Sequence, residues 1–140
     1  MKLKKAVIYA DGASWGNPGP AAIGAIIKDK QGRTVASISQ AIGRATNNHA
    51  EYRALIAAME KAVELGVDEV MVNLDSELVT RQINGQYRVK KTALKPLYQR
   101  VKQLQSLFHG FTIRHISRQQ NKEADNLARA ALKSQAGNRG

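Results

Sequence analysis

Apolar positions gather in three short runs near the start of the chain, at residues 6–10, 22–28 and 34–41, the last stepping through Val35, Ser37, Ser39 and Ala41. A period of two places successive side chains on opposite faces of a pleated strand, so these runs predict three strands. The stretches between them carry turn chemistry. Residues 11–20 are rich in Gly, Asn and Pro, and Asp29-Lys30-Gln31-Gly32 predicts a tight connection between antiparallel neighbours.

At Asn48 the period changes. Over residues 48–65, Leu55, Ala58, Met59, Ala62 and Val63 fall on one helical stripe, and Gly66 suits the helix end. A short apolar strand over residues 70–74 then runs into Asp75, and residues 76–83 predict a short helix closed by Asn84-Gly85. After a cation-dense stretch, a further helix is predicted through Leu97, Val101, Leu104 and Leu107, then a strand over residues 111–116. The last helix starts at Asn121 and places Ala124, Leu127, Ala128, Ala131 and Leu132 on one face. The order βββαβααβα predicts an α/β fold: one mixed sheet, three antiparallel strands first and parallel crossovers later, flanked by helices. Nothing in the pattern divides residues 1–133, which are expected to form a single domain, with residues 134–140 as a frayed tail.

Composition narrows the chemistry. Hydrophobic residues make up 43% of the 140, enough for a core, yet no apolar run approaches the roughly 18 to 20 residues of a membrane span. The basic start Met1-Lys2-Leu3-Lys4-Lys5 leads into a strand-like run rather than a signal peptide's apolar region, so a cytoplasmic protein is expected. With no cysteine, carboxylate and imidazole are the strong side-chain metal ligands that remain, which favours a hard, oxygen-seeking ion. Twenty-two Lys and Arg against eleven Asp and Glu give a net charge of +11, a field that attracts polyanions and points to nucleic acid, DNA or RNA.

Four of the acidic residues, Asp11, Glu51, Asp75 and Asp125, sit where a strand ends or a helix begins. Each has an ordinary explanation. Asp11 before Gly12 suits a turn, Asp75 suits a helix cap, Glu51 completes a capping box with Asn48, and Asp125 suits a helix dipole. Together they admit another: the crossover topology brings all four toward one sheet end, where α/β sites lie. Carboxylates converging there repel unless cations neutralise them. Such a cluster suits two Mg²⁺ ions about 4 Å apart acting on a phosphodiester. Periodicity alone leaves the convergence open.

At these residues the chain resembles the type 1 ribonuclease H family. The blocks that carry the resemblance are Tyr9-Ala10-Asp11-Gly12-Ala13-Ser14-Trp15-Gly16-Asn17-Pro18-Gly19-Pro20, Thr46-Asn47-Asn48-His49-Ala50-Glu51, Leu74-Asp75-Ser76 and Asn121-Lys122-Glu123-Ala124-Asp125. They occur in the family's order. The resemblance implies an RNase H-like fold with a five-stranded sheet, and hydrolysis of the RNA strand of an RNA/DNA hybrid that leaves 5′-phosphate and 3′-hydroxyl ends. It implies Asp11, Glu51, Asp75 and Asp125 as catalytic ligands of two Mg²⁺ ions, with Mn²⁺ able to substitute. Glu51 would accept a hydrogen bond from the RNA 2′-hydroxyl, Asn17, Asn47 and Asn48 would meet the minor groove, and Thr46 would help hold a DNA phosphate. No small-molecule cofactor is implied, and a monomer is the default expectation.

The chain departs from the best-known bacterial pattern in three places. The loop before the last aspartate, Ser117-Arg118-Gln119-Gln120, is shorter and lacks a His, leaving Arg118 as the candidate to assist catalysis. A basic, Trp-containing protrusion is missing, so that in this short form the segment from Arg88 to Lys95, with Lys90 and Lys91, is the candidate hybrid-binding patch. Glu77 stands where many relatives carry a DNA-facing Gln. Two competing readings are an idle hybrid- or duplex-binding module on the same fold and another nuclease of the wider superfamily; the four carboxylates and the Thr46-Asn47-Asn48 block favour the ribonuclease. His49 and His115 are left outside the metal site, and Trp15 is open to either stacking or core coverage.

Overall fold

Each run singled out by its periodicity forms an element in the computed structural model, which describes residues 3–137. The strands are β1 (Lys5–Ser14), β2 (Gly19–Lys28), β3 (Thr34–Ala45), β4 (Glu69–Leu74) and β5 (Gly110–His115). The helices are α1 (Asn47–Glu64), α2 (Glu77–Ile83), α3 (Lys95–Gln105) and α4 (Lys122–Gly137), with single 3₁₀ turns at Thr92–Leu94 and Gln119–Asn121. The five strands form one sheet in the order β3-β2-β1-β4-β5. The first three pair antiparallel, and β4 and β5 join parallel. This is the mixed RNase H-like sheet expected.

Strand β2 is buried along nearly its whole length because it is covered on both faces. Ile23, Ala25 and Ile27 join a core with Ile8, Leu55, Met59, Val72, Leu74, Val101 and Leu104, beneath α1 and α3. On the other face Ala22 packs with Ala131 and Leu132 of α4. Alternation along the strand assigns each residue to one of two helical layers. Burying each Ile or Leu contributes about 1.5–3 kcal/mol by area.

Two glycines set how closely these layers approach. A Cβ on Gly12 of β1 would lie 2.2 Å from the Ala50 carbonyl carbon, so α1 rests its first turns directly on the strand. A Cβ on Gly24 of β2 would lie 2.2 Å from the Ala124 oxygen, so α4 does the same on the other face. Any side chain at either position would push a helix start away from the sheet.

The boundaries differ from expectation in three places. β1 continues through Asp11 to Ser14 and β2 begins at Gly19, because their antiparallel register runs on to Ser14↔Ala21. The turn foreseen over residues 11–20 shrinks to the segment between them. β3 likewise extends to Ala45. Finally, α4 runs past residue 133 and reaches Gly137. Residues 138–140 of the expected tail lie outside the described residues.

Candidate active site

Parallel pairing between β1 and β4 runs from Lys5↔Glu69 to Ala10↔Leu74 and then stops. The next residues, Asp11 and Asp75, therefore flank the point where the two strands part, at the carboxyl end where α/β sites form. β1 goes on beyond it with β2 alone, pairing Asp11 opposite Gly24. The start of α1, seated on Gly12, brings in Glu51, whose Oε1 accepts the Gly12 backbone N–H at 2.9 Å. One oxygen each from Asp11, Glu51 and Asp75 lie within 4.8 Å of one another.

Asp125, in the first turn of α4, lines the same cleft of about 340 Å³, together with Asn47, Asn48, Arg118 and Arg129. Its Oδ2 accepts Arg129 Nε at 2.9 Å, and its carboxyl also faces Asp11, whose pKa it helps to raise through a side-chain hydrogen bond. The fourth carboxylate thus borders the trio from the opposite face of the sheet.

The ordinary explanations fail for three of the four. Ser76, not Asp75, caps α2, its hydroxyl accepting the Val79 N–H at 3.2 Å. Thr46 caps α1 by accepting the His49 N–H, and Glu51 reaches Gly12 rather than closing a box with Asn48. Asp11 lies within a strand, not a turn. Asp125 keeps its favourable place in a helix first turn and an i,i+4 ion pair.

The trio is electrostatically expensive. Asp11 is 5% exposed and Glu51 7%. Burial, then the Glu51 hydrogen bond and charge, then the Asp75 charge, push the Asp11 carboxyl far above its ordinary 3.8. Burial also raises Glu51, opposed by hydrogen bonds from Asp11 and the Gly12 N–H and by the nearby Arg118 cation. Glu51 Oε2 is buried with no hydrogen-bond partner. An orphaned carboxylate oxygen beside two other hard oxygen donors fits a divalent ion such as Mg²⁺ or Mn²⁺. Among the described residues no histidine joins this group.

The expected binding residues divide. Asn47 and Asn48 line the cleft, and Asn17 Oδ1 accepts the Asn47 N–H at 2.9 Å, fixing the start of α1. Thr46 opens on a second cavity of about 250 Å³ with Arg44, Asn48, His49 and Lys91, while Lys90 stands exposed beside Lys91. Arg88 and Lys95 turn instead to a groove with Gln82, Tyr87 and Tyr98. Glu77 is paired to Arg81 at 3.1 Å, which offsets its charge. Trp15 is 50% exposed and so does not cover the core.

Sequence reasoning missed Arg44, Arg129 and Asn121. Arg44 stands two residues before Thr46, a same-face spacing that was the one available signal. Arg129 follows Asp125 by four, an equally ordinary helix pattern. The Asn121 side chain donates to Asp75 Oδ2 at 3.1 Å and to the Ala10 carbonyl at 2.8 Å.

Comparison with known proteins accords with this geometry. A family profile described as "Reverse transcriptase-like" matches residues 9–131. The chain is 47% identical to a bifunctional protein of Mycobacterium tuberculosis over 94% of its own length and 36% of that protein's. It is 44% identical to ribonuclease HI of Halobacterium salinarum, covering 89% of this chain and 62% of that one. The chain thus spans about a third to three-fifths of these two relatives. With ribonuclease H of Pectobacterium atrosepticum the identity is 33%, over 91% and 90% of the two chains. The crystal structure of the H. salinarum RNase H1 superposes with a TM-score of 0.91 at 42% identity, covering 93% and 98% of the two chains. LC11-RNase H1, solved in complex with an RNA/DNA hybrid, gives 0.89 at 39% identity, covering 94% and 99%. On fold, motif order and identity together, the chain belongs to the type 1 ribonuclease H family.

Proposed function

We propose that this chain is an endoribonuclease that hydrolyses the RNA strand of RNA/DNA hybrids with divalent metal, leaving 5′-phosphate and 3′-hydroxyl ends. The observation that carries the reading is the trio of Asp11, Glu51 and Asp75 oxygens within 4.8 Å, at the point where β1 and β4 part. Asp11, Glu51, Asp75 and Asp125 would hold two Mg²⁺ ions, with Mn²⁺ able to replace them. When bound, such ions supply Lewis acidity, acidifying the attacking water and stabilising charge on the leaving 3′-oxygen.

The chain's own groups do the rest. The Gly12 N–H keeps Glu51 fixed in rotation, so that its carboxylate can accept the 2′-hydroxyl that marks the RNA strand. Asn17, Asn47 and Asn48 offer amides to the minor groove without reading a sequence. Thr46, with its hydroxyl hydrogen free to donate while its oxygen caps α1, would hold a phosphate of the DNA strand beside Arg44 and Lys91. Lys90 adds to the field there, and Arg118 offers a cation at the rim of the cleft. The hybrid complex of LC11-RNase H1 supports this substrate choice. The reading needs no small-molecule cofactor and takes the working form to be a cytoplasmic monomer; no helix among the described residues is long and apolar enough to cross a membrane.

The test is cleavage of a labelled RNA/DNA hybrid beside matched DNA duplex and single-stranded RNA, with Mg²⁺ and then with EDTA. Metal-dependent cutting of only the hybrid's RNA strand is expected. Tight hybrid binding without cutting, under both Mg²⁺ and Mn²⁺, would instead make the chain an idle binding module.

A further inference from the structure

Asn121 closes the 3₁₀ turn before α4 and is 1% exposed, an unusual burial for an amide. Its Nδ2 donates both hydrogens: one to the Ala10 carbonyl at 2.8 Å, the other to Asp75 Oδ2 at 3.1 Å. Its Oδ1 is buried with no partner. The orientation is forced, because the reversed amide would set Oδ1 against two acceptor oxygens. Packing alone would not select this residue, since an unpaired buried carbonyl is unfavourable.

The two acceptors explain the choice. Ala10 is the last β1 residue paired on both sides and immediately precedes Asp11, while Asp75 follows the matching end of β4. A primary amide is the neutral side chain that offers two hydrogens from one atom, so Asn121 can join the parting strands and orient Asp75 at the same time. A hydroxyl has one hydrogen to give, and a carboxylate would add a like charge.

We infer that Asn121 is a positioning residue: through its bond to Asp75 Oδ2 it fixes the rotation of that carboxylate against Asp11 and Glu51, and thereby sets the affinity of the trio for divalent metal. This rests on the metal-dependent reading of the site. Asn121 also lies four residues before Asp125, so the same turn ties the approach of the fourth carboxylate to the trio.

Calorimetric titration with Mg²⁺ and Mn²⁺ tests it on the whole chain. Asn121→Ala should weaken metal affinity by about tenfold or more. The metal concentration for half-maximal cleavage should rise in step while the KM for hybrid stays put, and saturating Mn²⁺ should restore much of the rate. Asn121→Asp, matched in size but lacking both hydrogens, should do no better than Asn121→Ala. A merely structural role would lower the melting temperature and leave the metal dependence alone. Should Asn121→Ala fail to fold, the Asn121 side-chain amide of the wild-type protein is followed by NMR; its signals should be slow to exchange and should move with Mg²⁺ at the calorimetric midpoint. Unmoved signals, or variants that bind metal like the wild type, overturn the positioning role alone. A wild-type chain that binds no divalent ion removes the metal-dependent reading and this inference with it.

Discussion

The carboxylate cleft and the cationic rim around it are built on opposite plans. Asp11 and Glu51 are almost wholly buried, held by the Gly12 N–H and by helices seated directly on Gly12 and Gly24. Arg44, Lys90, Lys91 and Arg118 are exposed, on a strand end and on loops. The difference follows from what each must do. Like charges in a low-dielectric site repel and lose hydration, so the fold itself must hold them together. Cations on a surface act through a field that water permits and that ordering does little to strengthen. Damage in the cleft should therefore be nearly all-or-none, and damage on the rim graded.

The sharpest break of this contrast is Asp75→Asn. It keeps the shape of the side chain but removes a charge that, with its neighbours, would hold ions worth several kcal/mol to the transition state. At about 1.4 kcal/mol per tenfold, cleavage should fall by about a thousandfold or more while hybrid binding largely persists. Single-turnover kinetics and a binding titration on the same preparation check this; full turnover would remove Asp75 from the metal site.

The cost of gathering the carboxylates is itself measurable in the absence of metal. Asp11 ionises near its ordinary 3.8 in the unfolded chain, but in the fold burial and then Glu51 hold its pKa far higher. A raised folded value means that stability is fully present below the unfolded pKa and is lost as pH rises toward the folded one. In EDTA the melting temperature should therefore fall between pH 4 and neutrality, with Glu51 acting in the same direction. Asp11→Asn should flatten that slope and stabilise the metal-free protein at pH 7 by about 1–3 kcal/mol, several degrees in Tm. Thermal melts across pH read it directly; an unchanged slope would mean that the trio is not strained.

The same contrast governs what was legible in the sequence. The apolar periods of α1 and α4 and the short run of β4 announce themselves, because burial on one helical stripe or within a sheet leaves a pattern. The ends of β1 and β2 do not. Ala13, Ser14, Ala21 and Ala22 have weak strand preference, and they pair because the hairpin register carries on through them. The four carboxylates could be named from their motifs, yet each alone suited a cap or a turn. Only the side-by-side ends of β1 and β4 and the close seating of α1 and α4 on the two glycines make them converge. Asn121 was invisible as a functional residue for a related reason: its role depends on acceptors 111 and 46 residues away in sequence. On the rim, charge density marked Arg88 to Lys95, but not that the segment splits, Lys91 toward Thr46 and Arg88 toward Tyr87.

That split makes the rim testable in a graded way. Replacing Lys90 and Lys91 with Gln should weaken hybrid binding and flatten its log–log salt dependence by about one unit for each phosphate that is no longer neutralised. Lys91 should account for most of the change, because it shares a cavity with Thr46. Equal effects from the two single variants would show that only the field matters, and an unchanged slope would move the phosphate-binding patch elsewhere on the surface.

Arg118 tests the boundary between the two regions, since it is exposed like the rim but lines the cleft and lowers the Glu51 pKa through its charge. An exposed cation of this kind is worth about 1 kcal/mol at most, or about fivefold in rate. Arg118→Ala should therefore slow turnover by that order while leaving hybrid affinity and its salt slope nearly unchanged. Arg118→Lys separates charge from geometry. If Lys restores the rate, a diffuse positive charge suffices and Arg118 belongs with the rim; if it does not, the planar guanidinium is held in a fixed relation to the reacting phosphate and Arg118 belongs with the cleft. An Ala variant at full rate would make Arg118 a solvated bystander, and the contrast between buried chemistry and exposed binding would then be complete.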